Sequence, residues 1–198
     1  MDDDGTTVAE PAAAPKQRRL RQLVLVLVAL AVVGLVFGFR WWTHPKLIQA
    51  AQAGIVTAPR PVARFPLYVG FSSSPLHGPH ETITLHSARV NFSGNSARAT
   101  APLAVCTRRA VPDGTLAVGT SYASEAPVSK YCTRLRPIKD GMKMRIDDDR
   151  EYFVAAVMPT RAGAAHITSL DISYSRGSRH LWQHGSQHFT ADILVRVR

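Results

Sequence analysis

One stretch constrains this chain more than any other. Residues 23–39 read LVLVLVALAVVGLVFGF and carry no charged side chain. The 17 residues of this run, at ~1.5 Å each, cover most of a hydrocarbon core ~30 Å thick. A helix in a soluble core would show a polar stripe at a period of about 3.6 residues, whereas this run is apolar all round, as lipid requires. Gly34 and Gly38 are tolerated there because a helix satisfies its own backbone polar groups.

The flanks set an orientation. Lys16, Arg18, Arg19 and Arg21 crowd the N-terminal side, and only Arg40 and Lys46 lie close on the other. Positive charge stays inside, so residues 1–21 are expected in the cytoplasm and the remainder outside the plasma membrane. Trp41 and Trp42 stand where an aromatic belt meets the outer headgroups, and Arg18, Arg19 and Arg21 mark the inner interface. A cleavable leader has an apolar region of ~7–15 residues followed by a small-x-small site. Here Phe39-Arg40-Trp41-Trp42 follows the run, and Ala51-Gln52-Ala53 is the nearest such site beyond it. The expectation is an uncleaved signal anchor over residues 22–42; a long leader cut near Ala53 is the competing reading. No Cys follows the run closely, which excludes a lipid-modified anchor.

Residues 1–15, rich in Asp, Thr, Ala and Pro, have too little apolar surface to pack and are expected to be disordered. Residues 43–66 are punctuated by Pro45, Pro59, Pro61 and Pro66 and read as a partly extended extracytoplasmic stalk, with a short helix possible over 46–53. From residue 67 to 198 the pattern turns to strands. Strands are expected over 67–71, 82–92, 103–106, 115–122, 130–135, 142–146, 151–158, 167–174 and 189–198. The last is the clearest: Phe189, Ala191, Ile193, Val195 and Val197 share one face. Over 82–92 the phase changes, since Ile83 and Leu85 share one parity and Ala88, Val90 and Phe92 the other; a β-bulge near His86 reconciles them. Asp113-Gly114, Asp140-Gly141 and Arg176-Gly177-Ser178 supply turns. No internal repeat is visible. The fold class is therefore all-β, an antiparallel β-sandwich behind one N-terminal transmembrane helix.

Cys106 and Cys132 are the only cysteines, and both fall in expected strands on the outer side, where thiols tend to oxidise. A bridge would close a loop worth roughly 3–4 kcal/mol on the chain-entropy argument. Without Cys-x-x-Cys spacing a redox-active pair is disfavoured; two buried free thiols are the remaining option.

Chemistry-bearing patterns are weak. His180, His184 and His188 are spaced by four, but Gly185 and Ser186 intervene and the flanks read as strand, where the three span too far to grip one ion. His77 and His80 form a loop pair. Asp147, Asp148 and Asp149 with Glu151 lack the alternating ligands and Gly bend of a calcium loop and read as a solvated turn. Asn91-Phe92-Ser93 is a formal glycosylation sequon. No Gly-x-Ser-x-Gly, His-Glu-x-x-His or phosphate loop is present, so no catalytic residue, cofactor or metal is assigned.

The closing stretch EYFVAAVMPTRAGAAHITSLDISYSRGSRHLWQHGSQHFTADILVRVR, with Asp171, Tyr174 and Gly177 as its marks, resembles the tails of exported actinobacterial proteins without an assigned activity. The resemblance implies an immunoglobulin-like sandwich behind a membrane anchor and supplies no site. Arg outnumbering Lys, 19 to 5, is in keeping with such an origin.

The whole chain carries a net charge of +10, and residues 41–198 alone carry +9. Basic domains usually meet nucleic acid, but this one would sit on the wrong side of the membrane. Arg108 and Arg109 flank one cysteine and Arg134 and Arg136 the other, so a bridge would gather a possible anionic-ligand patch. The expectations are a non-catalytic accessory module with a protein partner in the envelope or, alternatively, a basic module that binds anionic wall polymers or lipid headgroups. An envelope hydrolase is the third.

Overall fold

The apolar run lies within one helix, α1, Pro15–Thr43, in the computed structural model of the protein. The structure describes residues 15–43, 48–49, 54–71, 74–75, 81–111, 114–116, 119–146, 150–177, 180 and 182–198. The acidic tip at residues 2–4, His77, His80, Asp113, Asp147, Asp148, Asp149 and Ser178 lie outside them. The chain divides into two compact units, Met1–Trp41 and Trp42–Arg198.

The helix starts seven residues before the expected 22 and takes in the basic flank. Pro15 suits a first helical position, because its missing N–H would be unpaired there anyway, and Lys and Arg are good helix formers. The segment Arg19–Trp42 is long and apolar enough to cross a membrane.

The rest is mostly β. The strands are β1 (Ile55–Val56), β2 (Leu67–Phe71), β3 (Glu81–Asn95), β4 (Leu103–Val111), β5 (Gly114–Leu116), β6 (Thr120–Tyr122), β7 (Cys132–Pro137), β8 (Met142–Ile146), β9 (Glu151–Val157), β10 (Gly163–Arg176) and β11 (His184–Val197). A further two-residue ladder joins Ile48–Gln49 to Ser74–Pro75. The first sheet has the order β8-β3-β10-β11-β1, and the second β5-β4-β9-β2-β6, with β7 also paired to β4. All these pairings are antiparallel except β11 with β1. The arrangement is sandwich-like, with Ile83, Leu85, Leu170 and Tyr174 from one sheet and Val69, Phe71, Val105 and Phe153 from the other in one buried cluster.

The irregularities are informative. Ser173 pairs with Ser87 and Tyr174 with Leu85, so His86 is the extra residue of a bulge. That bulge lets Ile83 and Leu85, then Val90, all face the core. On β11, Phe189, Ile193, Val195 and Val197 are buried and Ala191 half-buried, as the alternation requires. Gly141 turns between β7 and β8 at φ +77°. Gly163 opens β10 at φ +146°, and a Cβ there would sit 2.9 Å from the Ala97 backbone nitrogen, so only glycine fits.

Four expectations change. The stalk assigned to residues 43–66 is in part a sheet edge. Ile55 and Val56 lie parallel to Ile193 and Leu194, Thr57 N–H donates to Leu194 O at 2.9 Å, and Arg198 N–H to Arg60 O at 2.9 Å. Its apolar residues find an unpaired strand edge, which outweighs the Pro content. Ile48–Gln49 is strand where a short helix was possible. The single strand expected over 115–122 is two, one pairing with β4 and one with β2, and the strand expected from residue 130 starts at Cys132 after a 3-10 turn, Val128–Lys130, behind Pro127.

Candidate functional site

The two cysteines form a disulfide, Cys106–Cys132, with Cα atoms 5.5 Å apart. It joins neighbouring strands, since Arg108 lies opposite Cys132 and Cys106 opposite Leu135. Both sulfurs sit on the outer face of the second sheet. There they form a second buried cluster with Tyr152 and Val154, closed over by Tyr68, Val128 and Tyr131. The 3-10 turn Val128–Lys130 thus acts as the cover of this face.

The four arginines expected as a patch come to neighbouring positions on β4 and β7 but meet different fates. Arg136 donates from Nη2 to Glu151 Oε1 at 2.7 Å and from Nη1 to Lys143 O at 3.1 Å. With side chains 24% and 14% exposed, that pair is internal rather than offered to a ligand. Arg108 lies 5.0 Å over the Tyr152 ring, and Arg109 donates to Ser129 O at 3.0 Å. Arg109 and Arg134 remain exposed, as do Lys130, Lys143, Arg145 and Arg150 nearby on the same edge. The exposed basic surface is therefore wider than the four expected residues and omits two of them, Arg108 and Arg136. In α1, Arg19, Arg21, Trp41 and Trp42 are exposed; Arg18 lies within the helix.

The outer face of the first sheet is polar and bonded to itself. His86 Nδ1 lies 2.8 Å from Asp140 Oδ1, and its Nε2 2.9 Å from Ser175 Oγ. His166 repeats the order, 2.8 Å from Ser93 Oγ and 2.7 Å from Asp192 Oδ1. Asn91 donates to Ser169 Oγ at 3.0 Å and to Asp171 Oδ2 at 2.6 Å, and His188 Nδ1 lies 2.6 Å from Asp171 Oδ1. The amide of Asn91, then His188, holds the Asp171 carboxyl below its ordinary value, and His86 does the same for Asp140. Ser-His-Asp order alone does not make a nucleophile. A reacting carbonyl also needs amide donors aimed at its developing oxyanion, and Ser175 lies inside a ladder paired on both sides, with Thr84 and His184.

The spaced histidines separate for the same reason. His184 stacks on His86 at 5.8 Å, His188 binds Asp171, and His180 lies 3.2 Å from Glu81. Strand residues four apart are about 13 Å apart. Among the described residues no group of three His, Cys, Asp or Glu is placed to hold a metal ion.

Sequence reasoning missed the polar lattice and the loop between β10 and β11. Arg176 Nη2 lies 2.9 Å from Glu81 Oε1, with both side chains about five-sixths buried. Arg176 Nη1 donates to Gln183 Oε1 at 3.1 Å, and Gln183 is fully buried. Beside it Trp182 is 65% exposed at φ +49°, a left-handed conformation that costs a bulky residue about 1–3 kcal/mol. The lone Trp in an Arg/His loop was visible; the strand order that sets Glu81 beneath it was not.

Comparison of the chain with protein-family models, with curated proteins and with solved structures finds no match.

Proposed function

We propose that this protein is a single-pass, plasma-membrane-anchored module whose extracytoplasmic immunoglobulin-like sandwich docks, without catalysis, on another protein of the envelope. One observation carries the reading: an apolar helix long enough to cross a membrane, Arg19–Trp42, is joined to a domain whose broad outer faces are occupied by the chain itself. One face is closed by its own turn and disulfide; the other spends its side chains on each other. Binding is left to the edges and ends. The basic flank of α1 supports a cytoplasmic N-terminus.

The test is a native pull-down of the full-length protein, tagged at its C-terminus, from mild-detergent membranes. A stoichiometric membrane protein in the eluate is the expected result. A lone monomer overturns the accessory role.

The exposed cations at Arg109, Lys130, Arg134, Lys143, Arg145 and Arg150 favour a second reading, adhesion to anionic wall polymers or headgroups. Exposed charges are screened within ~8 Å at physiological ionic strength, so retention on purified wall material should fall steeply with salt. Retention that ignores salt contradicts it.

A further inference from the structure

The loop between β10 and β11 is built to hold one exposed ring. His180 N–H donates to Gly177 O at 2.9 Å, Gln183 N–H to His180 O at 3.1 Å, and Arg176 N–H to Gln183 O at 2.8 Å. Underneath, Arg176 grips Glu81 from Nε at 3.2 Å as well as from Nη2, and its Nη2 lies 2.9 Å from His180 Nε2. A buried charge needs a partner to be tolerated, and these contacts tie the loop's described residues to Glu81 on β3. Trp182 emerges from it exposed and at positive φ. A strained backbone survives only where its surroundings dictate it, and core packing of the ring is not what dictates it here.

Topology places this loop at one particular end of the sandwich. Glu81 lies opposite Ile146, and Arg176 opposite Ile83. Phe71 lies opposite Phe153, near the start of β9, which follows β8. That end therefore gathers the close of β2, the starts of β3 and β9, and the β10–β11 loop. Ser74–Pro75, three residues after Phe71, pairs with Ile48–Gln49. Ile48–Gln49 thus lies at the end of the domain that carries Trp182.

The chemistry of that end suits a headgroup layer. Indole has an apolar body and one N–H, and settles where hydrocarbon meets water. Arg109, Arg145 and Arg150 are exposed at the same end. Of its described carboxylates, Glu81 and Glu151 are turned inward to arginines; Asp113 and residues 147–149 lie outside the described residues.

We infer that Trp182 inserts into the lipid headgroup layer and docks the domain, end-on, against the bilayer that holds its own helix. This rests on the reading of α1 as a membrane span. In the test, Trp41 and Trp42 are replaced by Phe in the full chain, leaving Trp182 as the sole indole. The protein is reconstituted into vesicles of phosphatidylcholine and phosphatidylglycerol and washed with alkaline carbonate. The expected result is a chain retained in the vesicles whose emission is blue-shifted, shielded from iodide and quenched by headgroup-level spin-labelled lipid. A retained chain with Trp182 open to iodide overturns the docking and leaves the anchor standing. Shielding that appears only when a co-extracted protein is added also overturns it, in favour of a protein contact. A chain released by carbonate overturns both.

Discussion

The two outer faces of the sandwich follow the same strand alternation and end in opposite states. On the second sheet, Tyr152, Val154 and Cys106 are as buried as residues of the main core, because the segment around Val128 and Tyr131 folds back over them. On the first sheet, His86, Asn91, His166, Asp171 and His188 stay at the surface and bond across strands. One face adds apolar burial and a covalent link; the other adds exposed hydrogen bonds, each worth little in water. The stability of the domain should therefore depend on the second sheet's outer face far more than on the first's. Among the described residues, neither face is a broad apolar surface, in keeping with the proposal that binding uses the ends.

The largest expected effect is on β9, whose neighbours Phe153 and Tyr152 point to the two sides of the second sheet. Phe153→Ala should cost about 3–5 kcal/mol, read by denaturant unfolding. Tyr152→Ala should cost a comparable amount; a loss below about 1 kcal/mol would show that the covered face is no second core. Next, replacing both Cys106 and Cys132 by Ser should cost about 2–4 kcal/mol and loosen the 128–131 cover, visible as faster hydrogen exchange there and unchanged exchange on β10 and β11. Trp182→Gly should raise stability by about 1 kcal/mol, since glycine takes positive φ without strain; a loss instead would mean the ring packs in the folded domain. The smallest effect belongs to the polar face. With its side chain about half exposed, Asp171→Asn should change stability by no more than about 0.5 kcal/mol at neutral pH. Its carboxyl is held below 3.8 in the fold, so its contribution is present above that unfolded-state value and lost as pH falls through the folded one. Wild type and variant should differ at neutral pH and converge in strong acid, followed by thermal unfolding against pH.

Local patterns in the chain were legible where a single strand contains them. The alternation of Phe189, Ile193 and Val195 marks β11, the parity break marks the bulge at His86, and Asp140-Gly141 marks the β7–β8 turn. Pairings between distant segments were not. Ile55 and Val56 are too short a run to announce a strand, and their partner lies 138 positions away. The break in 115–122 reflects two different neighbours, which only the strand order reveals. The charge count exposed a basic domain, but not that Arg136 is matched by Glu151, a residue grouped in sequence with the three aspartates before it. The Ser-His-Asp chains take each member from a different strand or turn, so no spacing signals them.

Everything proposed for this domain depends on the helix staying in the chain and in the membrane. The most direct measurement is the intact mass of the mature protein from carbonate-washed membranes, together with protease accessibility of a C-terminal tag on spheroplasts. The account predicts an uncleaved N-terminal segment, a carbonate-resistant protein and a tag removed by protease added outside. A soluble mature chain beginning near Gly54, or a tag protected until the membrane is broken, would contradict it.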